Sequence, residues 1–421
     1  MVMLKRLSSL ATGTLIVATS LVQISAYDNS RSDNLAVYWG QNSYGATHTS
    51  DTANWQKSLS TYCQDNVINA IPLAFLDVFF STGGDPEINF SNICSSSTNG
   101  VFSGTNLANC QFMAADIQAC QAKGKIITIS LGGASGAATF SSDAQGQAFA
   151  QTIWNLFLGG SSSTRPFGSA VLDGVDLDIE GGGSTGFAAF VDQLRTLMAT
   201  GNKPYYVTAA PQCPFPDAYI GAALNAASFD AVYVQFYNNY CGNNAPSSLT
   251  LVRAGISQPG IYLNRLKIII YNFIVRDNWA RTQSPNPNVK VYIGAPASTT
   301  AAGSGYVDAT TLGNLAISAR AQYPSFGGIM LWDASQAYAN GRYDVAVKNA
   351  MGSGTGSTTT PSTTTTTKTS TTPTTTSTTP TTTSTTPTTT TTSTATPTSC
   401  AGVAAWSSTV AYNGGSWVTY K

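Results

Sequence analysis

Between Asn34 and about Met351, short apolar runs alternate with longer stretches in which apolar residues recur every three or four positions. The short runs predict β-strands and the longer periodic ones amphipathic helices. Strands are expected at Leu35–Gly40, Val67–Phe80, Lys125–Gly132, Gly174–Glu180, Tyr205–Ala210, Ala231–Tyr237, Val289–Ala295 and Gly327–Trp332. Helices are expected between them at Phe112–Lys123, Ala144–Leu158, Phe187–Ala199, Ala218–Ala227 and Thr310–Gln322. Strands alternating with helices on this scale predict an α/β fold, a (β/α)8 TIM barrel. A doubly wound open sheet is the alternative, but no Gly-x-Gly-x-x-Gly phosphate loop follows the first strand. In such a barrel, reactive side chains gather at the C-terminal ends of the strands.

One strand stands out for its acids. In Asp173-Gly174-Val175-Asp176-Leu177-Asp178-Ile179-Glu180, alternation puts Asp176, Asp178 and Glu180 on one face and Val175, Leu177 and Ile179 on the other. Successive acids then lie only about 7 Å apart along the backbone. Three carboxylates that close cannot all ionise cheaply once water is excluded, so protons are shared and at least one pKa rises. A raised carboxyl pKa is what a general acid needs. The competing reading is a solvated face on an edge strand, where Lys, Ser or Thr would normally interrupt the acids. Asp173 has the wrong parity for the inward set and reads as structural. Glu180 falls at the strand's C-terminal end, before the Gly-rich turn Gly181-Gly182-Gly183.

Composition narrows the chemistry further. Lys+Arg and Asp+Glu both number 20, so nothing in the charge balance suggests a nucleic-acid partner. The one histidine, His48, lies in a polar loop-like run, which leaves Ser-His catalysis and a multi-His metal site unsupported. Neither a metal nor another cofactor is expected, and the chemistry rests on carboxylates.

Both ends of the chain differ from its middle. Residues 1–26 read as a secretory signal: Lys5 and Arg6 precede an apolar run from Leu7 to Ile24, and Ser25-Ala26 offers a small-residue cleavage site. An uncleaved anchor is the alternative, but Thr12, Gly13, Thr14, Thr19 and Ser20 soften that run below what a span of about 20 residues needs. A secreted, extracellular or wall-associated protein with no membrane partner is therefore expected, one whose sequon Asn89-Phe90-Ser91 is open to glycosylation. Six cysteines lie in residues 27–351, and six allow 15 pairings. Residues 352–399 are almost wholly Ser, Thr and Pro, the composition of an extended, O-glycosylated tether. Residues 400–421 recover Trp406, Tyr412, Trp417 and Tyr420, but a stretch this short buries no core of its own.

The acidic strand resembles the Asp-x-x-Asp-x-Asp-x-Glu signature of family 18 glycoside hydrolases, the chitinases, and Ser130-Leu131-Gly132-Gly133 resembles that family's second signature. Tyr38-Trp39-Gly40-Gln41-Asn42, Ala209-Ala210-Pro211-Gln212-Cys213-Pro214, Gln235-Phe236-Tyr237-Asn238-Asn239 and Met330-Leu331-Trp332 are similar to its plant- and fungal-type class III branch. The resemblance implies a monomeric enzyme acting on chitin or chitin oligosaccharides without a protein nucleophile. Glu180 would protonate the glycosidic oxygen, while Asp178 would orient the substrate's own N-acetyl group, whose oxygen attacks the anomeric carbon. Asp176 would hold the proton of Asp178, and Tyr237 would bond the acetamido oxygen. Gln235 would line the same subsite with Gly132 and Gly133, Trp332 would floor it, and Tyr38 and Gln41 would add polar contacts. The same resemblance implies disulfides Cys63–Cys120, Cys94–Cys110 and Cys213–Cys241. Residues 400–421 resemble the first half of a small chitin-binding module.

One segment departs from the family pattern. Family members pass quickly from the position of Cys241 to a tryptophan-bearing helix resembling Asp277-Asn278-Trp279-Ala280, whereas in this chain residues 247–271 intervene, basic and with the apolar tract Leu266-Lys267-Ile268-Ile269-Ile270. The segment reads either as a lid on the groove or as translated non-coding sequence. Rival functions are an endo-β-N-acetylglucosaminidase, a lysozyme-like hydrolase, or a non-catalytic chitin-binding wall protein.

Overall fold

A computed structural model describes residues 26–243 and 265–352, with the side chains of 265–272 excepted. The expected signal peptide, the Ser/Thr/Pro tether, residues 400–421 and most of the 247–271 segment lie outside the described residues.

Eight parallel strands close a barrel in chain order: β1 (Asn34–Val37), β2 (Ala70–Leu76), β3 (Ile126–Gly133), β4 (Gly174–Ile179), β5 (Tyr206–Ala209), β6 (Ala231–Gln235), β7 (Lys290–Pro296) and β8 (Phe326–Trp332). The helices are α1 (Ser43–Thr47), α2 (Leu59–Cys63), α3 (Ser96–Asn99), α4 (Ala114–Ala122), α5 (Asp143–Phe157) and α6 (Phe187–Met198). After them come α7 (Gly221–Ala226), α8 (Arg265–Thr282), α9 (Ala309–Gln322), α10 (Ala334–Ala339) and α11 (Tyr343–Met351). All eight expected strands form, most of them shorter than their apolar runs. The expected helix at Phe112–Lys123 opens instead as a 3₁₀ turn, Gln111–Met113, before α4.

Alternation along β4 sorts its side chains as parity requires. Val175, Leu177 and Ile179 enter the large apolar layer that also holds Phe149, Phe187 and Phe190 of α5 and α6. At the foot of the strand, Gly174 has φ +151°, and a Cβ there would stand 1.8 Å from the carbonyl oxygen of Tyr206. A second, smaller cluster collects Tyr27, Ala36, Tyr38, Tyr233, Tyr292 and Met330, tyrosines where aliphatic layers are usual. Tyr233 and Tyr292 meet edge to face at 4.9 Å, and Tyr27 and Tyr206 at 5.0 Å. Helix starts carry their own signals: Ser142 caps α5 and Asp308 caps α9, each accepting a backbone N–H, worth about 1 kcal/mol apiece.

Asp173 is structural, as its parity implies. One oxygen accepts from the backbone N–H of Ile127 (2.8 Å) and from Gln121 (2.9 Å), and the other pairs with Lys203 (2.8 Å). The three implied disulfides are all present. Cys213–Cys241 matters most for the site, because it staples the loop after β5 to the loop after β6 across 28 residues. In the chain-entropy picture a loop of that length is worth roughly 3–4 kcal/mol.

Of the segment that departs from the family pattern, residues 265–271 are described. They belong to α8, an 18-residue helix that continues through Trp279. The β-branched tract Ile268–Ile270 disfavours helix locally, yet α8 carries buried Phe273, Arg276, Trp279 and Ala280 at helical spacing, and tertiary packing overrides the propensity.

Candidate active site

A cavity of about 260 Å³ opens at the C-terminal ends of the strands, walled by Gln41, Phe75, Asp77, Asn89, Gly132, Ala134, Ser135, Asp178, Glu180, Gln235, Tyr237, Asn238, Ala301 and Trp332. Of the residues singled out from the sequence for catalysis or binding, Asp178, Glu180, Tyr237, Gln41, Gln235, Gly132 and Trp332 line it. Asp176, Tyr38 and Gly133 sit behind the wall.

Asp176 is the deepest of them, with no exposed surface. Strand register sets Ser130 of β3 and Thr208 of β5 on either side of it. Its Oδ2 accepts from Tyr38 Oη (2.6 Å) and Ser130 Oγ (2.7 Å), and its Oδ1 accepts from Thr208 Oγ1 (2.6 Å). Burial pushes the Asp176 carboxyl up, and the three hydroxyls pull against it without cancelling the shift. Charge-assisted bonds of this kind are worth about 1.5–3 kcal/mol each, which reduces but does not cancel the several kcal/mol that burying a carboxylate costs.

This geometry sets some of the expected residues back from the cavity surface. Tyr38, expected to touch substrate, is 1% exposed and spends its hydroxyl on Asp176. Its phenol stays protonated because burial and the Asp176 charge both push it up. Asp176, expected to hold the proton of Asp178, accepts from three hydroxyls, while Asp178 hydrogen-bonds Glu180 and is pushed up in part by the Asp176 charge. Gly133 is likewise set back, since a Cβ there would stand 2.7 Å from the Phe75 ring.

Asp178 and Glu180 form a coupled pair. Burial raises Asp178 well above the usual carboxylate range, and the charges of Glu180, Asp176 and Asp217 add to it. Glu180 is also raised by burial, against hydrogen bonds from Gln235, Gln212 and Asp178. The pair therefore keeps a proton at pH values where free carboxyls have lost theirs. Gln235 Nε2 donates to Asp178 Oδ1 (2.8 Å) and to the Ala210 carbonyl (3.0 Å), which fixes the carboxyl plane. Gly132, at φ +104°, lets β3 lie against β4; a Cβ there would stand 2.5 Å from the Asp178 carbonyl oxygen.

The apolar side of the cavity is aromatic. Trp332 stacks on Phe75 (5.8 Å, 17° between planes) and leans on Tyr38 (5.6 Å). Tyr237 follows β6, and burial together with the charges of Asp178 and Glu180 keeps its phenol protonated, hence a donor. Gln41 is held by its amide, which donates to the carbonyls of Ala74 (2.9 Å) and Asn89 (3.0 Å).

Sequence reasoning missed three groups. Gln212 lies in a quoted motif but received no role; it bonds Glu180, and its Oε1 accepts from Asn239 (3.1 Å). Arg276 of α8, 1% exposed, donates to the carbonyls of Gln212 (2.6 Å) and Pro214 (2.9 Å) and lies 4.9 Å from the centre of the Phe215 ring. Burial pulls this guanidinium down to about 10. Asp77, at the end of β2, is the third, and no pattern in the sequence marks it. Among the described residues no cluster of His, Cys, Asp or Glu is arranged to hold a metal. The arrangement suits proton transfer to an oxygen above Glu180, with a hydrogen-bonding carboxyl and a phenol facing the same point.

Comparison with known proteins places this geometry. The family described as glycosyl hydrolases family 18 matches residues 34–420. Chitinase 2 of Rhizopus oligosporus is 49% identical over 330 residues, covering 78% of this chain and 54% of that protein. The chain spans about half the length of the curated relatives it matches. The crystal structure of a chitinase from Ipomoea carnea aligns with a TM-score of 0.59 at 29% identity, over 75% of this chain and 99% of that one. A xylanase and alpha-amylase inhibitor protein from Scadoxus multiflorus aligns with a TM-score of 0.58 at 28% identity, over 75% and 98%.

Proposed function

The chain belongs to glycosyl hydrolase family 18, and from that premise we propose that it is a chitinase that cleaves β-1,4 bonds between N-acetylglucosamine units with the substrate's acetamido group as nucleophile. The observation that carries this reading is the pairing of Asp178 with Glu180 in one cavity with Tyr237 and Trp332. Glu180 gives its proton to the glycosidic oxygen as the bond to the anomeric carbon breaks. The acetamido oxygen bonds to that carbon and forms an oxazolinium ion, whose N–H is held by Asp178 and whose oxygen side is held by Tyr237. Water then attacks from the face the leaving group vacated, losing a proton to Glu180 and reopening the ring. Two carboxyls in direct hydrogen-bond contact leave no room for the water that an inverting pair needs, about 6.5–9.5 Å of separation.

A secreted protein of the cell wall, carried on an O-glycosylated tether, fits the composition of residues 1–26 and 352–399. A second reading comes from the similarity to the Scadoxus inhibitor protein: the same barrel serving in binding alone. The complete Glu180, Asp178 and Tyr237 set argues against it. Turnover of a chitin oligomer by the wild type and by Glu180→Gln decides between them. The proposal expects at least a thousandfold loss of kcat, in line with general-acid and electrostatic contributions; equal turnover, or none in either protein, removes the enzymatic reading.

A further inference from the structure

Asp77 sits in the wall of the catalytic cavity, directly after β2. Asn89, Ala134 and Ser135, which also follow β2 and β3, line the same cavity. Its backbone is pinned on both sides: its N–H donates to the Glu87 carbonyl (3.2 Å), and its carbonyl accepts from Ala137 (2.7 Å). The side chain takes no part in those two backbone bonds. Oδ1 is buried with no hydrogen-bond partner among the described residues. Glu87, whose backbone carbonyl accepts from Asp77, uses its own carboxylate to accept from Ser81 and from Asn106 (2.9 Å). Burial pushes the Asp77 carboxyl up to about 6, and the Glu87 charge adds to the shift. Among the described residues no Lys or Arg lines the cavity, whereas three carboxyls do: Asp77, Asp178 and Glu180.

A half-buried carboxylate with no counterion among the described residues gains most from a cationic ligand. Among sugars built on the N-acetylglucosamine skeleton, the cationic form is the deacetylated unit, glucosamine, which carries an ammonium where chitin carries an acetamide. We propose that Asp77 is a specificity-determining residue that receives the ammonium of a glucosamine unit, so that partly deacetylated chitin is a preferred substrate. The inference rests on the chitinase reading: the reacting unit keeps its acetamide as nucleophile, and the glucosamine occupies a separate position opposite Asp77. A hydrogen bond to a charged donor exceeds a neutral one by enough to give about a tenfold preference.

Two oligomers of equal length test this, one fully acetylated and one with a single glucosamine, together with mass-spectrometric sequencing of products from partly deacetylated chitin. Wild-type cleavage of the fully acetylated oligomer tests the chitinase reading by itself. For Asp77, wild-type products are expected to be enriched in glucosamine at one fixed distance from the cut. In Asp77→Asn, the ratio of kcat/KM for the glucosamine-containing over the acetylated oligomer falls about tenfold. Asp77→Glu, which keeps the charge, retains most of the ratio. An unchanged ratio in Asp77→Asn, or no position enriched in glucosamine, overturns the assignment.

Discussion

Replacing Tyr38 by phenylalanine removes one oxygen from the centre of the barrel and leaves the ring where it is. That oxygen donates to Asp176 Oδ2 at 2.6 Å, and Asp176 has no exposed surface through which water could replace it. The charged form of Asp176 therefore loses about 1.5–3 kcal/mol, whereas the neutral form loses only the ~1 kcal/mol of an ordinary hydrogen bond. Because one pKa unit is 1.36 kcal/mol, the difference moves the folded pKa of Asp176 upward by as much as about one and a half units. The sign follows from the burial that already raises this group. A carboxyl raised on folding contributes stability that is present below its unfolded pKa of about 3.9 and is lost as pH rises through the folded value. Tyr38→Phe deepens that loss, so its destabilisation is greatest above the folded pKa and shrinks toward acid. Urea unfolding at pH 8 and at the acid end of the folded range measures both values. A destabilisation that is the same at the two pH values, or absent from both, would refute a charged, hydroxyl-held Asp176.

Three other outcomes test the surroundings of the acid. Gln212→Leu removes a hydrogen bond that lowers Glu180; the acid then keeps its proton to higher pH, and the alkaline limb of kcat/KM moves up by about one unit. Trp332→Ala is expected to raise KM by at least tenfold as the apolar floor is lost, whereas Tyr237→Phe lowers kcat with little change in KM, a split that steady-state kinetics reads directly. Replacing Cys213 and Cys241 together by serine is expected to cost roughly 3–4 kcal/mol in urea unfolding, with lower kcat because the loops bearing Gln212 and Tyr237 lose their staple.

The acidic trio was legible in the sequence because strand alternation is local: residues two apart share a face whatever the rest of the fold does. Tyr38 was legible as a site residue but not in its role, since its partner Asp176 lies 138 positions away and reaches it only by barrel closure. Gln212, Arg276 and Asp77 share that difficulty. Gln212 and Arg276 meet their partners only through loops and helices that the closed barrel brings together, and Asp77 belongs to no periodic pattern. Helix α8 was only partly legible: Asp277-Asn278-Trp279-Ala280 resembled a family helix, but nothing local showed that the helix begins as early as Arg265.

Substrate assistance is tested most directly by the anomer of the first product. Proton NMR during early hydrolysis of an N-acetylglucosamine oligomer is expected to show the new reducing end in the β form, before mutarotation, because two displacements at one carbon restore its configuration. An initial α product would mean direct attack by water, and would contradict an acetamido nucleophile oriented by Asp178 and a proton supplied by Glu180.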